Sequence, residues 1–153
     1  MRRAIALPFL FFPVLMSSSM LHVKLPDRDE VDCLASAIYY ESRGEPEIGQ
    51  RAVAHVILNR TVYRKKSVCE VIAEPRQFSF YRKGMQLESS EEIRSIALEM
   101  LVQERNGWRA DFLRGITHYT RVEVKKVWMR AFAIEVILGN HQFLREKNKT
   151  EGK

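Results

Sequence analysis

A glutamate stands at the end of an apolar helical stretch in "YYESRGEPEIGQ" (Tyr39 to Gln50), followed at once by Arg43, Gly44 and Glu45. At about 100° per residue counted from Val31, Glu41 falls beside Leu34 and Ile38, at the edge of the apolar stripe and in the last turn. Desolvation there disfavours the ionised carboxylate. The negative end of the helix dipole pushes the same way. A carboxyl so placed keeps its proton towards neutral pH, which is what a general acid needs. On pattern alone the plainer reading is a helix-end glutamate paired with Arg43 or Arg60. Arg60 falls on the apolar face of the next helical stretch and wants a carboxylate, which Glu41, Glu45 or Glu47 could supply.

The elements that must position these groups are legible from spacing. Asp27 and Asp29 after Pro26 mark a helix start, and Val31, Leu34, Ala35 and Ile38 give it an apolar face. Gly44 and Pro46 end it. Pro46 suits the first position of a second helix, whose face is Ile48, Gly49, Ala52, Val53, Val56 and Ile57 and which runs to Arg60. A short helix is expected over Ser67 to Ala73, then a loop in "EPRQFSFY". Ser89 with Glu92 reads as a capping box for a helix to about Gln103, with Ile93, Ile96, Ala97, Met100 and Leu101 inward. Near the end, "AFAIEVIL", Gly139-Asn140 and "HQFLR" fit a β-hairpin, and a helix ending at Gly139 fits almost as well. The expected class is a helix-rich α+β domain with a small β element.

The 153 residues suit one domain. Residues 1–19 read as a signal peptide or N-terminal anchor: Arg2 and Arg3, the thirteen uncharged residues Ala4 to Met16, then Ser17 to Ser19. A membrane span needs about 20 residues, so cleavage is the first reading. Residues 20–28 read as a linker, 29–146 as the folded domain and 147–153 as a flexible tail, with fraying from Glu146. The folded part is expected to be exported to the periplasm or cell envelope. Cleavage after Ser19 removes two arginines and takes the formal charge from +6 to +4, a mild excess that suits an anionic polymer or membrane surface or a merely solvated surface. Cys33 and Cys69 fit an oxidising compartment. A bridge would close a loop of about 37 residues and contribute roughly 4 kcal/mol; two buried free thiols are the alternative.

The segment "CLASAIYYESRGEPEIGQRAVAHVILNR" resembles the signature of the SleB-type cell wall hydrolases, the spore-cortex-lytic enzyme family. "SVCEVI", "QFSF", "GITHY", Trp128 and "GNHQF" follow in the family's order, so the resemblance covers roughly Val31 to Arg145. It implies a lysozyme-like domain that cuts the glycan strands of peptidoglycan, with Glu41-Ser42 similar to the acid motif of lytic transglycosylases. In that chemistry one carboxyl protonates the glycosidic oxygen and then, as a carboxylate, takes a proton from the muramic C6 hydroxyl, without metal or cofactor. Ordinary glycosidases use two flanking carboxylates, and Glu45 is the candidate for a second. By the same resemblance Gln77, Phe78 and Ser79 form a glycan-contacting loop, with core packing as the alternative for Phe78. Thr117, His118 and Tyr119 line the same cleft, with an ordinary hydrogen-bonded histidine as the alternative for His118. One of Tyr39 and Tyr40 packs and the other faces the groove. Asn59, Arg60, Gly139, Asn140 and His141 read as architectural. Where relatives often carry proline two residues before the tryptophan, this chain has Lys126. No separate peptidoglycan-binding repeat is read in these 153 residues, so targeting would be expected to fall to the groove, the basic surface, or a targeting or regulatory protein.

Two rivals come from different classes. A zinc amidase would need three ligands around an open position, and His22, His55, His118 and His141 include no close pair. A non-catalytic wall-binding protein would leave Glu41 ionised and exposed. Nucleic-acid binding would need a continuous basic stripe, which the sequence lacks. Membrane association is expected only if residues 1–19 stay attached.

Overall fold

In the computed structural model the first helix, α1 (Arg28–Ser42), starts where Asp27 Oδ1 accepts from the Glu30 amide at 2.8 Å, a side-chain cap on an otherwise orphan donor. The structure describes residues 22–109 and 112–147; the signal or anchor expected at 1–19 and all but the first residue of the tail expected at 147–153 lie outside them. α2 (Glu47–Arg64) follows with Pro46 as its N-cap, and it continues past Arg60 to a left-handed residue at Lys65. α3 (Val68–Ile72) carries a capping box between Ser67 and Glu70. α4 (Glu91–Arg105) is capped by Ser90, whose Oγ accepts from the Ile93 amide, rather than by Ser89. Two adjacent serines leave the cap ambiguous by one position in sequence, and the local geometry decides.

α2 is buried from Gly49 to Arg60 apart from the half-buried Arg51, and α1, α3 and α4 pack around it. Leu34, Ile38, Val53, Ile57, Ile72 and Met100 lie at the centre of the core. Cys33 and Cys69 are bonded to each other, with their Cα atoms 5.4 Å apart, so α1 is tied covalently to α3. The described part of the expected linker, residues 22–28, is docked. Lys24 donates its amide to Asn106 Oδ1 and accepts from Asn106 Nδ2, both at 3.1 Å, and the Leu25 carbonyl accepts from Arg105 at 2.7 Å. The side chains of Arg105 and Asn106 at the end of α4 make these bonds, which is how an apparently free segment acquires a place.

Of the two readings for the chain's end, the structure takes the hairpin. β2 (Phe132–Leu138) and β3 (His141–Glu146) pair antiparallel through the Gly139-Asn140 turn. A third strand, β1 (His118–Arg121), pairs antiparallel with β3, giving the order β1-β3-β2. Glu146, expected in a frayed tail, sits in β3 opposite Phe132. A single 3-10 turn over Val127–Ala131 precedes β2. The helix-rich α+β class with a small β element is therefore the observed one. No helix among the described residues is long and apolar enough to cross a membrane.

Two buried polar residues of α2 join the layers. Asn59 Nδ2 donates to the carbonyls of Leu113 at 2.7 Å and Ile116 at 2.8 Å, and Arg60 Nε donates to the Thr117 carbonyl at 2.8 Å. These bonds satisfy backbone groups that have left one element and not yet entered the next. They also fix the chain just before β1.

Candidate active site

The end of α1, the loop after α3, β1 and the hairpin turn enclose an open cleft of about 640 Å³. Glu41 lines it, half-buried, at the last turn of α1. Its Oε2 accepts from the Tyr119 hydroxyl at 2.9 Å; among the described residues Oε1 takes no hydrogen bond. Burial raises the pKa of this carboxyl, and the Tyr119 bond and the nearby Arg60 charge oppose that without reversing it. Tyr119 is itself held well above the usual phenol value, first by burial and then by Glu41. It therefore stays a donor.

Arg60 does not take the ion pair its apolar position suggested. Its Nε is spent on the Thr117 carbonyl, and its guanidinium lies 5.6 Å from the Phe78 ring centre and 5.9 Å from that of Tyr119. Ring faces accept a guanidinium favourably, so the arginine is accommodated without neutralising Glu41. Arg43 is exposed and sits 5.0 Å over the Tyr39 ring. The plain helix-end pairing of Glu41 with an arginine is therefore absent.

Glu45 also lines the cleft, yet its carboxylate is engaged. It accepts from the Asn140 amide at 2.7 Å and from Asn140 Nδ2 at 3.1 Å, and His141 Nδ1 lies 3.5 Å away. Gly139 has φ of +60°, and a Cβ there would overlap Glu45 Oε2. Glu45 thus clamps the β2–β3 turn to the start of α2. His141 stays below its ordinary pKa, chiefly through burial, with Glu45 pulling the other way.

The other expected site residues divide. Gln77 and Ser79 line the cleft, and Gln77 Oε1 accepts from Arg64 at 3.1 Å, which leaves its amide nitrogen for a ligand. Tyr40 faces the cleft, stacked on Phe80 at 4.7 Å, while Tyr39 packs against the core. Phe78 is only 4% exposed and belongs to the core, so the packing alternative holds and its face is closed to a sugar ring. Ser42 borders the cleft, but it is buried and its hydroxyl donates to the Ile38 carbonyl at 2.9 Å, a back-bond within the helix. His118 does not share the cleft with Tyr119. Successive strand residues point to opposite faces, and His118 lies against Phe132 and Trp128, at 4.6 and 6.2 Å. Sequence reasoning missed the hydrogen bond from Tyr119 to Glu41. It also missed Arg43, Thr120 and Arg121 as cleft residues. Reading "THYTR" as a strand would have separated His118 from Tyr119 by alternation alone.

A larger hollow of about 1060 Å³ lies beside Tyr39, the disulfide and the Arg94–Asp32 ion pair, and Glu41 does not line it. Among the described residues, no three His, Cys, Asp or Glu side chains gather as a metal-binding set.

Residues 44–144 match the cell wall hydrolase family. The spore cortex-lytic enzyme of Bacillus cereus is 33% identical over 118 residues, covering 69% of this chain and 44% of that protein. The chain thus spans less than half the length of this curated relative. Among solved structures, the catalytic domain of the germination-specific lytic transglycosylase SleB from Bacillus anthracis superposes with a TM-score of 0.65 at 31% identity, covering 78% of this chain and 97% of that one. The catalytic domain of the Bacillus cereus SleB protein gives 0.65 at 30%, covering 79% and 95%. The fold is thereby the lysozyme-like α+β one expected.

Proposed function

The chain belongs to the cell wall hydrolase family, and from that premise we propose that it cleaves peptidoglycan glycan strands between N-acetylmuramic acid and N-acetylglucosamine, with Glu41 as the one acid and base. The observation that carries this reading is the state of Glu41: half-buried in an open cleft, with a raised pKa and one oxygen held by Tyr119. Perturbed carboxyls in clefts are where acid catalysis is found.

The chemistry follows from which oxygen is free. Tyr119 donates to Oε2, so the proton of the neutral acid belongs on Oε1. From Oε1 it passes to the glycosidic oxygen as the bond from the muramic C1 breaks. The carboxylate left behind takes the proton of the muramic C6 hydroxyl while O6 attacks C1. A 1,6-anhydro ring forms, Glu41 is acid again, and no water is consumed. A two-carboxylate hydrolysis would need a second acid flanking the bond. The commitment of Glu45 to Asn140 supports the single-acid version. Gln77, Ser79 and Tyr40 would hold sugar hydroxyls and ring faces along the cleft. The substrate lies outside the cytoplasm, so this function calls for export, which residues 1–19 would direct.

The test is mass spectrometry of purified peptidoglycan digested by the protein and by Glu41→Gln. Muropeptides ending in 1,6-anhydro-muramic acid are expected from the first and none from the second. Reducing ends would assign hydrolysis instead. Freed stem peptides with intact glycan would overturn the reading in favour of an amidase.

A further inference from the structure

Three guanidinium groups face this cleft, and only one of them is structural. Arg60 is buried and bonded to the Thr117 carbonyl. Arg43 is exposed, rests on the Tyr39 ring, and among the described residues pairs with no carboxylate. Arg121 is 64% exposed in its side chain and, among the described residues, its guanidinium is tied only to Glu123, itself 57% exposed, a kind of surface pair that binds weakly and yields readily to a competing anion. The two acids of the cleft do not balance these charges. Glu45 supplies one negative charge, held at the hairpin turn by Asn140, and Glu41 must be neutral to act. The competent cleft therefore carries an excess of positive charge, with Arg43 facing no carboxylate among the described residues on the α1 side and Arg121 held by the exposed Glu123 on the β1 side.

An uncharged glycan gives this charge nothing to bind. We propose that Arg43 and Arg121 are specificity-determining residues that select glycan strands bearing a carboxylate on the muramic acid side chain over strands in which that position is neutral. This rests on the proposed action on peptidoglycan and names the form of strand the cleft takes. The recognised chemistry is a carboxylate beside the scissile bond. It has two sources: the α-carboxylates of an attached stem peptide, or the muramic lactyl carboxylate itself where the stem is gone. Arginine suits either, because its planar fork donates two parallel hydrogen bonds to a carboxylate. Stacking on Tyr39 restricts the Arg43 head before the ligand arrives, so less freedom is lost on binding.

The experiment measures binding by calorimetry in the Glu41→Gln background, where strands stay intact, with cleavage by the unsubstituted protein assayed separately. Three probes are used: strands with stem peptides, strands stripped to the bare lactyl carboxylate, and stripped strands with that carboxylate capped as a methyl amide. The capped strands are expected to bind about tenfold more weakly than the better of the other two, the scale of one charge-assisted hydrogen-bond pair at a partly exposed site. Which carboxylate probe binds more tightly identifies the source. Adding Arg43→Gln and Arg121→Gln together is expected to collapse the preference to within about twofold, while Arg43→Lys keeps part of it. Equal affinity for capped and uncapped strands overturns the proposal, as does a preference that survives both arginine substitutions. A binding preference alongside absent cleavage by the unsubstituted protein overturns the catalytic reading and leaves the selection by Arg43 and Arg121 standing.

Discussion

Tyr119→Phe removes one oxygen atom and with it the bond that orients the acid. The Tyr119 hydroxyl lies 2.9 Å from Glu41 Oε2, and the ring stacks on Phe143 at 5.9 Å and meets His141 edge-on at 5.4 Å. Phenylalanine keeps those ring contacts, so the fold should persist. A hydrogen bond to a charged partner contributes about 1.5–3 kcal/mol, which corresponds to roughly ten- to a hundredfold in rate. The loss should appear in kcat, because the bond orients the acid rather than the sugar. The pH profile carries a second, independent signature. The Tyr119 bond favours the ionised form and lowers the Glu41 pKa against the effect of burial. Its removal raises that pKa further. Activity requires the protonated acid, so the alkaline limb of kcat/KM should move to higher pH even as its height falls. The assay is release of muropeptides from purified peptidoglycan between pH 4 and pH 9, with circular dichroism to verify folding. A folded variant with unchanged kcat, or a limb displaced to lower pH, would refute the assignment of Tyr119 as the positioning residue.

Further consequences concern stability. Glu41→Gln should be more stable than the unsubstituted protein at pH 7, because burial raises the folded-state pKa and a carboxylate there destabilises the fold once ionised. By linkage the difference should vanish as pH falls below the unfolded carboxyl value, and urea midpoints at pH 7 and pH 3.5 will check this. His55 is 4% exposed with its pKa pushed down to about 4, first by burial and then by Arg109 and Arg51. Its contribution is complete above the ordinary 6.5 and lost as pH falls from there towards about 4, roughly 3 kcal/mol in all; His55→Leu should flatten that part of the stability profile. Gly139→Ala should cost about 2–4 kcal/mol by urea denaturation, because it meets both the positive φ and the Glu45 carboxylate. Reduction of Cys33–Cys69 should lower stability by about 4 kcal/mol on the chain-entropy account, read from urea midpoints with and without reductant.

The helices were legible because each carries its own period and most carry their own punctuation. Val31, Leu34, Ala35 and Ile38 are all buried in α1, and Ile93, Ile96, Ala97, Met100 and Leu101 are all buried in α4. The sheet was half legible. The Gly139-Asn140 turn announced a hairpin, but seven residues such as "FAIEVIL" suit a helix as well, and only pairing with β3 decides between them. β1 is four residues long and was invisible as a strand, because nothing local distinguishes so short a run and its partner lies 20 residues on in sequence. That one omission produced the error at His118 and hid the Tyr119 bond. Glu41 was readable because its signal is a conflict, a carboxyl where the helix wants none. Glu45 was not readable, because its partners Asn140 and His141 come from the far end of the chain.

The same conflict explains why so many tethers converge on one carboxyl. Nothing within α1 favours a buried glutamate in its last turn, and local relaxation would let Glu41 rotate into water. Each neighbour that prevents this is itself anchored from elsewhere. α1 is fixed by the disulfide two turns earlier. Tyr119 is delivered by a strand whose entry is set by Asn59 and Arg60 of α2. The hairpin that flanks it is clamped at its turn by Glu45. Strain at a functional group persists only where its surroundings over-determine it. Asn59 and Arg60, two of the four polar residues buried in α2, are therefore best understood through the site. They sacrifice ordinary core packing to hold β1 at hydrogen-bonding distance from an acid that the helix alone would release.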